Sequence, residues 1–184
     1  MDDARIHDEL PEDHPRPPRR GLPAAIAKLV TGWALLGGLV LLVVVCINMA
    51  TVIGSIFGMP FPGDFELTEM GVAVAVFAFL PLCQLDDANV TADIFTSKAG
   101  PRTLAVLKTL ASLVAFAFAV ILVWRMTYGM LDQKAYNYTT TILQLPIWWA
   151  FVPILVSLVL LIAAAALTLV EALRAAARPA GGAR

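Results

Sequence analysis

Leu145–Val170 reads LPIWWAFVPILVSLVLLIAAAALTLV, 26 residues without a single charged side chain. A bilayer's hydrocarbon core is about 30 Å thick and takes about 20 helical residues to cross. Inside it every backbone N–H and C=O must be paired within its own segment, so a run of this length and character is a spanning α-helix. Working outward, three more such stretches appear: Leu29–Ile53, Leu67–Leu85 and Thr109–Trp124, with Glu69 the one charge inside any of them. The third is the shortest, but Lys108 and Arg125 stand at its ends. Their long stems let the charged heads reach the headgroups and extend the span to about 105–125. The fold class read from this pattern is an all-α integral membrane protein with four transmembrane helices; three spans plus a re-entrant segment is the main competitor.

Bulk composition agrees. The 184 residues are 59% hydrophobic and 15% charged, with a mean hydropathy of +0.79, whereas a soluble domain carries about 25% charged residues. A net charge of −1 implies no polyanion-binding surface, and no nucleic-acid partner is expected. Cys46 and Cys83 both fall inside spans and form no CxxC pattern, so they read as small apolar packing residues.

Three domains follow: a polar tail over 1–28, a transmembrane domain over 29–171 (spans about 29–53, 67–85, 105–125 and 145–170) and a second tail over 172–184. Met1–Arg20 is acidic and proline-rich, with no apolar core ahead of a small-residue cleavage site. It reads as a disordered segment rather than a cleavable signal, leaving Leu29–Ile53 as an uncleaved signal-anchor. Of the 13 Lys and Arg residues, eleven fall on the side shared by the two tails and the connection Asp86–Lys108; Arg125 and Lys134 fall on the other. The positive-inside rule then puts both termini in the cytoplasm.

Several local features invite a role. Gly54-x-x-x-Gly58 and the stripe Ala111, Ala115, Ala119 are small residues of the kind that let membrane helices approach closely, either within this chain or against another. Pro62-Gly63-Asp64 is a turn leading into a helix, with Asp64 the expected N-cap and with Glu66 and Glu69 near the positive end of the helix dipole. Glu69, a turn further in, is alternatively a contact for a partner. In the cytoplasmic connection Val90, Ile94 and Phe95 sit at helical spacing, which allows a short helix lying in the membrane interface. Pro146 suits the first turn of the last helix, Trp148 and Trp149 the aromatic belt, and Pro153 a kink.

The only histidines, His7 and His14, sit in the polar tail, and no cluster has metal-ligand or nucleophile spacing. No catalytic residue, cofactor site or metal site is expected, and the chain reads as a non-catalytic subunit.

Three motifs resemble one family. An acidic pair opens the second helix (Glu66-Leu67-Thr68-Glu69), and a polar residue lies four before an Asp in the cytoplasmic connection (Asn89-Val90-Thr91-Ala92-Asp93). The last helix is entered through a Thr-x-x-Leu-Gln-x-Pro-x-Trp-like segment, here Thr140 through Gln144, Pro146 and Trp148. Over about Leu29–Glu171 the chain resembles the small membrane subunit of tripartite ATP-independent periplasmic (TRAP) transporters, the DctQ-type family. Family members often carry His where Asn89 stands, a departure that bears on any proton-linked role there. The resemblance implies a subunit of the bacterial inner membrane that is no enzyme. Its partners would be a large permease (M) subunit bearing the substrate and sodium sites, a periplasmic substrate-binding protein and membrane phospholipid. Its task would be to brace the large subunit during sodium-driven uptake of an organic acid. Glu66, Glu69, Asn89, Asp93, Gly54, Gly58, Gln144, Pro146, Trp148 and Trp149 are the residues expected at a subunit interface or in a structural role. The alternatives are a stand-alone small multidrug-type transporter, which would want a carboxylate deeper than Glu69, and a membrane anchor for another complex.

Overall fold

The structure, a computed structural model, describes residues 21–86 and 101–176. The two outer tail segments, the interfacial stretch around Val90–Phe95, and Asn89 and Asp93 lie outside the described residues. Four helices account for nearly all of what is described: α1 (Leu22–Ile56), α2 (Asp64–Leu85), α3 (Pro101–Ala135) and α4 (Trp148–Ala176). Each contains a segment long and apolar enough to cross a membrane. They alternate in direction, so α1 and α3 begin, and α2 and α4 end, at one end of the molecule, the near end; the connections 57–63 and 136–147 lie at the far end.

Helix boundaries follow from local chemistry. Gly63 is the N-cap of α2 with φ +81°. Asp64, expected as the cap, is instead the first helical residue, and with Glu66 it places negative charge on the positive end of the dipole. α1 closes through a Schellman arrangement: the Met59 N–H donates to the Gly54 carbonyl (2.8 Å) and the Gly58 N–H to that of Ser55 (3.1 Å), with Gly58 at φ +73°. A Cβ on Gly54 would strike the Met59 carbonyl oxygen. The Gly54-x-x-x-Gly58 spacing therefore ends a helix and folds the chain back, rather than forming a docking stripe. Pro146 does not enter the first turn of α4; it pairs as an isolated antiparallel bridge with Thr139, two residues before the helix.

The helices do not close into a symmetric bundle. α2 packs on α1 and α4, α4 also takes α3 on another side, and α1 meets α4 to a lesser extent. The central helix is α4: 44% of its most apolar window is buried, against 6% for α1. The exposed surface carries many Leu, Val, Ile and Phe side chains, an extent of apolar surface that suits lipid rather than water. Cys46 and Cys83 are exposed and free on that surface, not packed in the core as the sequence suggested.

At the near end Val30, Leu85 and Ala164, one from each of α1, α2 and α4, form a buried cluster edged by Ile26, Leu82, Leu160 and Leu167. Small residues permit this closeness, for a Cβ on Gly37 would come within 2.6 Å of the Ala78 Cβ. Ala119 is fully buried on α3, Ala115 is half-buried and Ala111 is exposed, so the alanine stripe only partly faces the chain's own packing. Pro81 and Pro153 both lie within helices.

Candidate functional site

Among the described residues, three side-chain hydrogen bonds between helices tie α1, α2 and α4 together, all built alike. A hydroxyl on one helix donates back to its own backbone and accepts an N–H from a neighbour. Ser157 donates to the Pro153 carbonyl (2.8 Å) and accepts the Trp33 indole N–H (2.8 Å). Thr68 donates to the Asp64 carbonyl (2.7 Å) and accepts the Asn48 amide (2.8 Å). Thr168 donates to the Ala165 carbonyl (3.0 Å) and accepts the Gln84 amide (3.1 Å). Where no water is available, such pairs satisfy polar groups that would otherwise be costly, and each contributes roughly 0.6 kcal/mol to helix association. The sequence displayed these polar residues within apolar runs, but not their partners.

Toward the far end α1 and α4 diverge over α2 and leave a groove of about 450 Å³, lined by Leu39, Val43 and Ile47 of α1, Met70 and Gly71 of α2, and Trp149 and Pro153 of α4. Its lining is entirely apolar in residue type, so it offers shape and no chemistry.

Above the groove the connection 136–147 folds into a small hairpin. The Ile147 N–H donates to the Tyr138 carbonyl (3.1 Å) and the Thr140 N–H to that of Leu145 (2.9 Å), while the Leu145 N–H reaches the Thr140 hydroxyl (3.0 Å). Asn137 and Gln144 take left-handed conformations, φ +50° and +51°, unusual for residues other than glycine. The Glu66 carboxylate occupies the turn: one oxygen accepts the Ile142 N–H at 2.6 Å and the other the Leu143 N–H at 2.9 Å. Charge-assisted bonds of this kind are shorter and stronger than neutral ones. The Leu143 side chain covers Gly63, where a Cβ would meet its Cγ at 2.5 Å.

The expected residues thus separate. Glu66 binds within the chain, 76 positions from its partner, which its place at a helix start did not foretell. Glu69 is exposed and makes no hydrogen bond or ion pair with another described residue. Gln144 is exposed at the hairpin. Trp148 lies under the Lys134 ammonium, 5.3 Å from the ring centroid, and meets Trp149 edge to face at 6.2 Å. Gly54 and Gly58 are engaged in ending α1.

Fold and site together define a multi-pass helical membrane protein whose polar groups serve packing and whose free surface is apolar, as suits a component of a larger membrane assembly. The model of the family "Tripartite ATP-independent periplasmic transporters, DctQ component" matches residues 41–175, and the chain belongs to that family. It is thus a TRAP transporter small permease component. No curated protein and no solved structure matches it.

Proposed function

We propose that this chain is the static partner of a large permease subunit, stiffening it during sodium-driven uptake of an organic acid delivered by a periplasmic binding protein. The family match over residues 41–175 carries this reading. The geometry supports it: the three interhelical bonds tie α1, α2 and α4 to one another. Among the described residues, no charged group lies along the buried helix contacts that a transport path would follow. A brace needs stiffness and a broad apolar face; the interhelical bonds support the first and the exposed apolar residues the second. The chain sits in the inner membrane with both termini in the cytoplasm, a placement that the distribution of Lys and Arg supports. The far end, with the hairpin and the groove mouth, then faces the periplasm.

Within this reading Glu69 is the contact residue on α2. It shares an exposed face with Phe65, Val72, Val76 and Cys83, and a carboxylate at that level is best satisfied by a donor on another chain. Recovery of the complex from gently solubilised native membranes tests both claims. The expected result is a large multi-span permease in one-to-one ratio, with Glu69→Gln lowering its recovery several-fold at unchanged expression. Recovery of this chain alone, with transport activity in liposomes, would replace the reading with that of a stand-alone transporter.

A further inference from the structure

We propose that the Glu66 carboxylate is a latch that fixes the far mouth of the groove, by holding the hairpin Tyr138–Ile147 over the start of α2. Three observations converge on it. Both carboxylate oxygens are committed to consecutive backbone N–H groups, those of Ile142 and Leu143, at 2.6 and 2.9 Å. The residue after the latch, Leu67, lines one wall of the groove, and Trp149, close behind the hairpin, lines another. The hairpin itself is short: beside the Ile147–Tyr138 and Thr140–Leu145 backbone bonds it has a single isolated bridge, at Thr139 and Pro146, a proline that cannot donate, and it carries Gln144 at φ +51°.

A short segment that carries a left-handed non-glycine residue is held in one conformation more firmly when something outside over-determines it. The latch supplies that from α2. Because the groups it binds, the Ile142 and Leu143 N–H groups and the Thr140 hydroxyl, all donate, an acceptor-only carboxylate fits, whereas an amide of the same shape would turn its NH₂ toward one of the donors. Glu66 is thus a positioning residue. It ties the ends of α2 and α4 at the level where apolar packing gives way to the groove. The latch rests on this chain's own geometry; its consequence for uptake rests on the subunit reading above.

The test uses the full chain in phospholipid nanodiscs and follows amide hydrogen exchange. With Glu66→Gln, exchange at Ile142 and Leu143 should rise tenfold or more while the buried amides around Leu158 keep their protection, and spin labels introduced at Val72 and Val152 should report a broader α2–α4 distance distribution. Exchange within twofold of the unaltered chain, or an unchanged distance distribution, would overturn the proposal. Thr140→Val removes the hairpin's own side-chain bond to Leu145 together with the Thr140 hydroxyl's bond to Glu66, and leaves the carboxylate its two backbone bonds to Ile142 and Leu143. Protection of Ile142 and Leu143 should then be largely kept. Its loss would mean that the carboxylate's two backbone bonds do not hold the hairpin, which overturns the latch, and this second variant decides the matter even if Glu66→Gln does not fold. These readouts need no partner. If the permease fails to co-purify while Glu66→Gln opens the hairpin, the subunit reading falls and the latch stands.

Discussion

The two ends of the molecule solve the same problem by different means. At the near end α1, α2 and α4 meet through Val30, Leu85 and Ala164, buried to 2% exposure or less, with glycine and alanine letting the backbones close in. At the far end the same three helices splay around a groove. There they are joined by polar ties, Asn48 to Thr68 and Glu66 to the hairpin, and α3 is attached by Lys134 over Trp148. Lipid tails are as apolar as leucine, so no water-driven force pulls helices together in a bilayer, and association rests on close packing and on hydrogen bonds. The near end combines dense packing with one such bond, Gln84 to Thr168, whereas the far end leans on its polar ties. A bundle built this way is expected to be stiffest where its packing is dense, with its far end adjustable through a few bonds.

The largest effect is expected where packing is densest. Leu85→Ala empties a site at the junction of three helices, and cavities of this kind cost about 2–4 kcal/mol when the surroundings cannot collapse. Its unfolding midpoint, measured with increasing sodium dodecyl sulfate in mixed micelles, should fall well below that of the unaltered chain. A change no larger than that of a lipid-facing control such as Leu42→Ala would mean that the near end is not the stiffer one.

Asn48→Leu should do much less. It removes one interhelical hydrogen bond and leaves Thr68 bonded to its own helix, so the expected loss is about 0.6 kcal/mol. Paired with Glu66→Gln it sharpens the comparison, because both ties act on α2 near its start. A double-mutant cycle with a coupling energy clearly different from zero would show that the far-end ties act as one unit; simple additivity would show independent rivets.

What the sequence revealed and what it hid divide along the same line. Spans were legible because length and absence of charge decide them: α2 begins and ends beside Asp64 and Asp86, and α4 ends near Glu171 and Arg174. The Gly54-x-x-x-Gly58 motif was open to misreading, since a spacing of four serves a helix-docking stripe and a Schellman ending equally. The following Pro60 and Pro62 were the cue for an ending. Cys46 and Cys83 looked buried because apolar surroundings were equated with protein interior, whereas in a membrane the apolar surroundings are also lipid. Glu66 could not have been placed at all. Its partners are backbone groups whose position depends on how a distant connection folds, and no side-chain pattern records them.

The smallest effect is expected at Lys134, and it tests the far end from the side of α3. The Lys134 ammonium lies 5.3 Å from the centroid of the Trp148 ring, one turn from the hairpin's start and directly ahead of α4. A cation over an indole face at a partly wetted site contributes about 0.5 kcal/mol, and Lys134→Met keeps the apolar stem while removing the charge. Overall unfolding should therefore scarcely change. Trp148 fluorescence, isolated in a background with Trp33, Trp124 and Trp149 changed to Phe, should nonetheless respond, because the charge is close enough to perturb the excited indole. If Lys134→Met also loosened the hairpin amides as Glu66→Gln is expected to, the far end would be a cooperative cap in which α3 shares. If only the fluorescence moved, α3 would be attached to α4 without a part in the latch, and the adjustable end of the molecule would belong to α2 and α4 alone.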